Sequence, residues 1–193
     1  MTKPHLIAAL VASTIFTALP LQAQNADIGA VTDLAARKAA EGNLTQARQY
    51  LGLAMRRVWD QTPLEIARAT LIAEEAGGYR AFEPLPKAEV KSGEVVRIYA
   101  EPVGYKFDKR GKEYAIGLSS DIKVKSAEGL VLAEANDFAQ VEFVKRYRAF
   151  DIMMQLAFEM PDLKPGAYTI DVTIKDQHSD QTASHSLSVD VVE

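Results

Sequence analysis

Apolar residues recur at every third or fourth position between Asp27 and Ala76 and at every second position from Tyr79 onward, so the chain divides into a helical part and a strand part. The first helical stripe holds Ile28, Val31, Leu34 and Ala35 and ends at Gly42-Asn43, where glycine supplies a left-handed exit. The second starts with Asn43 as its cap and places Leu44, Ala47, Leu51, Ala54 and Val58 on one face. A third helix is expected after Thr62, with Pro63 at its first position, Glu65 completing a capping box and Gly77-Gly78 ending it. The stretch from Ala40 to Ala47 looks like one tetratricopeptide-type turn. Stacked repeats need about three copies to be stable, so a single helical hairpin is the expectation.

Strand periodicity is clear at Val96, Ile98 and Ala100, from Tyr114 to Val124, from Leu130 to Ala135, and from Phe150 to Phe158. It continues from Tyr168 to Ile174 and from Leu187 to Val191. Turns rather than crossover helices join these runs, which excludes a parallel sheet and predicts an antiparallel sandwich of about seven strands. At Leu163-Lys164-Pro165-Gly166-Ala167-Tyr168, Pro-Gly makes a turn and Tyr168 is placed to tie its hydroxyl to nearby backbone, a tyrosine corner. The fold expected is α+β: a helical hairpin or three short helices over residues 24–78, then an immunoglobulin-like β-sandwich over residues 79–193.

Ahead of both lies a stretch with Lys3 and His5, an apolar run from Leu6 to Leu19, then Pro20 and the small-residue ending Leu21-Gln22-Ala23. That order is the order of a cleavable secretory signal, residues 1–23, cut after Ala23. The apolar run is shorter than the roughly 20 residues of a membrane span. The expectation is export, to a bacterial periplasm or the medium, with no membrane span in the mature chain. No cysteine is present, so neither a disulfide nor a lipidated cysteine contributes. The chain carries 22 Lys and Arg against 26 Asp and Glu, and loss of Lys3 makes the mature part slightly more acidic, which argues against a nucleic-acid partner.

The run Lys91-Ser92-Gly93-Glu94-Val95-Val96-Arg97-Ile98-Tyr99-Ala100-Glu101, the Pro-Gly-Ala-Tyr corner, and Asp176 followed by Gln181-Thr182-Ala183-Ser184 together resemble exported bacterial proteins with one immunoglobulin-like domain. The resemblance covers about residues 82 to 193 and implies architecture. Such a corner recurs in extracellular sandwiches of unrelated function, so the resemblance transfers no catalytic residue.

Candidate chemistry is sparse. Without cysteine there is no thiol nucleophile, and the sequence has no His-Glu-x-x-His, no Gly-x-Ser-x-Gly elbow, no phosphate loop and no dinucleotide fingerprint. His178 and His185 are the histidines beyond the leader. Asp176, His178 and Asp180 alternate in one segment and form a weak candidate for a divalent cation, though turns favour the same residue types for backbone reasons. Two stretches mix aromatic and cationic side chains: Tyr105, Phe107, Lys109 and Arg110 in the first, Lys145, Arg146, Tyr147 and Arg148 in the second. Aromatic faces beside Lys and Arg suit an anionic glycan, a peptide carboxylate or lipid headgroups.

These features predict a non-enzymatic periplasmic interaction module that needs no cofactor and binds an envelope protein or an anionic glycan, in an oligomeric state the sequence leaves open. The alternatives are an assembly or chaperone-like component working through a sheet edge, and a metal-assisted hydrolase built on Asp176, His178 and Asp180.

Overall fold

The computed structural model describes residues 27–193, so the secretory leader expected at residues 1–23 lies outside the described residues. The chain forms two compact units, divided between Val58 and Trp59.

The first unit is a pair of helices, α1 (Ile28–Ala40) and the greater part of α2 (Leu44–Gln61). Asp27 caps α1 by accepting from the Ala30 amide at 2.7 Å, and Asn43 caps α2 by accepting from the Gln46 amide at 3.1 Å. Gly42, at φ 75°, makes the left-handed exit between them. Val31 and Ala35 pack against Tyr50 and Ala54. The buried face of α2 is thus centred on Ala47, Tyr50 and Ala54, whereas Leu44, Leu51 and Val58 of the expected stripe are exposed. Tyr50 carries more buried surface than any of the three, and its ring draws the face of the helix towards itself.

The helix expected after Thr62 is a strand. Glu65–Leu71 forms β1, paired antiparallel with β3 (Val95–Val103). The capping signal around Pro63 is local, worth about 1 kcal/mol, and a full ladder against a central strand outweighs it. The Leu64 amide, which a helix would leave without an intrahelical acceptor, donates instead to Gln181 Oε1 at 2.5 Å.

The second unit, Trp59–Glu193, is a sandwich-like arrangement of two mostly antiparallel sheets. The smaller has the order β1-β3-β7, with β7 at Met154–Glu159. The larger runs β2-β9-β8-β5-β4, with β6 on the remaining side of β5. Its strands are β2 (Glu89–Lys91), β4 (Asp108–Arg110), β5 (Glu113–Ser126), β6 (Val131–Lys145), β8 (Gly166–Asp176) and β9 (Thr182–Val192). β2 runs parallel to β9, one parallel pair in an otherwise antiparallel arrangement among the described strands. The partners are far apart in sequence, so the chain reaches the parallel position by crossing the sandwich, and no single crossover helix is needed.

The core between the sheets holds Ile98, Leu118, Met154, Leu156, Ile170 and Val172, with further side chains of the same kind around them. Outside the larger sheet lies a polar ladder: Lys125 pairs with Asp171, Lys123 with Glu134 at 3.2 Å, and Lys175 with both Asp121 and Asp137 at 2.8 and 2.6 Å. One face buried and one solvated is what the period-two pattern requires. Tyr168 donates its hydroxyl to the Lys164 carbonyl at 2.8 Å, closing the expected corner. No described helix is long and apolar enough to cross a membrane.

Candidate functional site: an aromatic cleft beside a buried aromatic plug

From Phe143 to Met153 the chain alternates between two destinations. Phe143 and Lys145 at the end of β6, then Tyr147, Ala149, Asp151 and Met153 in the connection to β7, line a surface cleft of about 300 Å³, joined by Ile152, which breaks the alternation. Over most of the segment every second side chain goes to the same side, as in a strand, although the chain bends at residues 146–147. Tyr79, from the connection between β1 and β2, closes the cleft opposite them. Tyr79 is positioned by its neighbour. The Arg80 amide donates to Tyr99 Oη at 2.8 Å, and the Arg80 guanidinium sits 5.2 Å from the centre of the Tyr79 ring and reaches the buried Glu101 carboxylate at 3.5 Å. Arg80 holds φ 59°, a conformation uncommon for a side chain of this size and sustained by those contacts.

The cleft combines three aromatic rings, one ammonium and one carboxylate. Tyr147 is 67% exposed, so its ring is available to a ligand rather than to the core. Lys145 and Asp151 form no ion pair among the described residues, which leaves both free to meet polar groups on a ligand.

The even-numbered residues Arg148 and Phe150 turn the other way. Together with Trp59, Tyr105 and Phe107 they build a plug of edge-to-face rings, with centroids 4.8 Å apart for Trp59–Tyr105 and for Trp59–Phe150. The Arg148 guanidinium lies 4.4 Å from the Phe107 ring centre and pairs with Asp60, one of whose oxygens it meets at 3.1 Å. Trp59 Nε1 donates to the Tyr105 carbonyl at 2.9 Å, and Tyr105 donates its hydroxyl to the Ala149 carbonyl at 2.7 Å. Burial pushes the Tyr105 hydroxyl far above the usual tyrosine range. Its hydrogen bond to Ala149 ties the loop that carries Tyr147 and Asp151 to the plug.

The residues singled out from sequence therefore separate. Tyr105, Phe107 and Arg148 belong to the plug, and Lys145 and Tyr147 line the cleft. Lys109, Arg110 and Arg146 are exposed and line neither. Arg110 is held by Asp108 at 2.7 Å and Glu142 at 2.8 Å, and those hydrogen bonds raise its already high pKa. Tyr79, Phe143, Ala149, Asp151, Ile152 and Met153 are cleft residues outside the set expected from sequence; following the alternation from Phe143 to Met153 finds all but Tyr79 and Ile152.

Asp176, His178 and Asp180 lie in the hairpin between β8 and β9 and do not converge. Asp176 is buried and spends its oxygens on the Lys106 amide at 2.8 Å, the His178 amide at 2.9 Å and the Ser179 hydroxyl at 2.8 Å. Among the described residues no group of three or more His, Asp or Glu side chains is placed to hold a metal ion. Asp176 fixes a turn and ties it to the chain entering β4.

No family model matches the chain, and no curated protein sequence does. Among solved structures it is similar to CopC from Methylosinus trichosporium OB3b, at 14% identity and a TM-score of 0.30 over 64% of this chain and 93% of that one. It is similar also to Spo0M, a sporulation control protein from Bacillus subtilis, at 11% identity and 0.36 over 68% and 50%. A third is the superoxide reductase (neelaredoxin) of Ignicoccus hospitalis, at 7% and 0.33 over 68% and 84%. Similarity at this level carries no argument about activity.

Proposed function

We propose that this chain is an exported, non-enzymatic interaction module whose immunoglobulin-like sandwich binds an anionic polymer of the cell envelope in the cleft of Tyr79, Phe143 and Tyr147. The single observation that carries the reading is Tyr147, a large ring 67% exposed at the mouth of an aromatic cleft whose floor is pinned by the buried Tyr105 hydroxyl. An exposed ring on a fixed loop offers stacking area at little entropic cost, because the loop is already ordered before the ligand arrives. Sugar faces stack on such rings, Lys145 supplies a cation for an acidic substituent, and Asp151 accepts from hydroxyls. The two-sheet architecture and the Tyr168–Lys164 corner support the immunoglobulin-like assignment, and the leader pattern of residues 1–23 supports export.

The test is co-sedimentation of the purified chain with isolated envelope polymers, alongside titration with acidic oligosaccharides by calorimetry. Binding that weakens about tenfold or more in Tyr147→Ala and in Lys145→Glu supports the reading. Binding indifferent to both substitutions, or none at all to any envelope polymer, removes it. Fractionation of the native host tests export separately: the chain recovered outside the cytoplasm should begin at Gln24.

A further inference from the structure

A second surface lies on the flank of the sandwich where the sheets part. β6 is hydrogen-bonded to β5 alone, and β7 to β3 alone, so among the described residues each presents one unpaired backbone edge. A groove of about 180 Å³ lies along this flank, lined by Val124, Ala133, Phe138 and Phe158 and by the carboxylates Glu134 and Glu159. The Phe138 and Phe158 rings meet edge to face across it, 6.3 Å apart. Leu130, Val131 and Leu132, where the chain enters β6, are all exposed, an uncommon run of apolar side chains beside an open edge.

The edge has a defined length. Pairing runs from Lys125↔Val131 to Ile122↔Ala135, then skips to Ser120↔Ala139. The skipped residues form a bulge at Asp137, which holds φ 49°, donates its amide to Asp121 Oδ1 at 2.8 Å and is clamped by Lys175. The bulge ends this stretch at Ala135, and a second register shift, between Val124 and Lys125, leaves Leu132 unpaired near its start, so the edge over residues 131–135 is short.

We propose that residues 131–135 of β6 accept a short extended segment of a partner protein by strand addition, with one apolar side chain of the guest seated against the Phe138–Phe158 pair and a lysine or arginine facing Glu159. Unpaired backbone donors and acceptors call for another backbone, and apolar side chains beside the edge select a guest of alternating pattern. Charge chooses the class of guest. The groove is lined by two carboxylates and no cation, and only Glu134 has an ion-pair partner, Lys123, among the described residues. A cationic guest is therefore complementary, whereas a symmetric pairing with a second copy of this chain sets carboxylates against carboxylates. This surface is separate from the aromatic cleft, and the proposal stands without the polymer reading.

The probe is a synthetic peptide of about seven residues, alternating valine and threonine with a lysine at each end, with a control carrying proline in place of its central valine. Amide hydrogen exchange and nuclear magnetic resonance shifts of the purified chain are followed during titration. The expected result is about tenfold or greater slowing of exchange at alternate amides of residues 131–135, absent with the proline control and abolished by Glu159→Lys. Glu159 is exposed, so that variant should keep the melting temperature of the parent. Three results overturn the proposal: no slowing at millimolar peptide, slowing equal with the proline control or in Glu159→Lys, and protection of the same amides that rises with protein concentration in the absence of peptide. The last would assign the edge to self-association.

Discussion

Tyr147 and Arg148 are adjacent in sequence and opposite in environment. Tyr147 is 67% exposed at the cleft, whereas the Arg148 side chain is 16% exposed, packed on Phe107 and Phe150 and paired with Asp60. Both come from stretches where aromatic and cationic residues mingle, and composition alone gives them the same reading. The difference is parity. The connection crossing the end of the sandwich sends these two neighbouring side chains to different sides, so the same composition builds a plug on one side and a binding surface on the other. A cationic side chain on an aromatic face is thus as consistent with core as with ligand recognition, and exposure decides between them.

Emptying the plug should erase this contrast most completely. Tyr105→Ala removes a wholly buried ring and its hydroxyl, and should cost about 4 kcal/mol, read as the denaturant midpoint at unchanged slope. Because the hydroxyl also holds the Ala149 carbonyl, Tyr105→Ala should loosen the cleft loop as well, which faster amide exchange at residues 147–151 would report. If stability falls by less than about 1 kcal/mol, the plug is not the structural element described.

Next in size is Gly104→Ala, expected to cost about 3 kcal/mol. Gly104 sits at φ 76°, and a Cβ there would lie 2.0 Å from the Pro63 carbonyl oxygen, a backbone atom with nowhere to move. Arg148→Ala should follow at about 2 kcal/mol, through lost packing on two rings and an Asp60 left without its partner. Asp60→Ala should cost less than Arg148→Ala, since the Asp60 side chain is 57% exposed and pairs at the surface. Equal losses in both variants would mean that the ion pair, rather than the ring contact, holds Arg148.

Much of this arrangement is legible in sequence, and the failures share a cause. The strands, the Asn43 cap, the Gly42 exit and the Tyr168 corner follow from local signals that nothing in the tertiary structure opposes. The helix expected after Thr62 fails because its signal is local and its fate is set by pairing with β3, about thirty residues further on. β2 and β4, of three residues each, are too short to show a period. The run from Phe150 to Phe158 reads as one strand, yet only Met154–Glu159 pairs, since Phe150 is claimed by the plug and Ile152 by the core. Within the site, Lys145 and Tyr147 are legible because aromatic and charge patterns are local. Tyr79 is not, because it reaches the cleft from a different part of the chain.

A smaller effect separates the solvated face of the larger sheet from both regions. Burial works against the Asp121 and Asp171 carboxylates, but hydrogen bonds from Lys175 to Asp121 and from Lys125 and Ser186 to Asp171 bring both below the ordinary carboxylate range. A carboxyl whose folded pKa is depressed contributes stability that is fully present above its unfolded value of about 3.9, and that is lost as pH falls through the lower folded value. Unfolding free energy should therefore decline as pH drops below about 4, and Asp121→Asn with Asp171→Asn should flatten that decline. An unchanged acid slope in the double variant would place the acid sensitivity elsewhere.

The smallest stability effect is the most informative about plug and cleft. Tyr147→Ala should change unfolding free energy by no more than about 0.5 kcal/mol, because a ring that is mostly in solvent surrenders little buried area. Its neighbour Arg148 should cost several times more, so the two substitutions form an internal control for loop integrity. If Tyr147→Ala is as stable as the parent yet loses polymer binding, the ring is there for a ligand and the fold does not need it. If it destabilises as much as Arg148→Ala, Tyr147 packs in solution against something that its 67% exposure does not show, and the cleft loses its leading ring. The division between plug and cleft would then fail at its centre, since it rests on adjacent side chains meeting different surroundings.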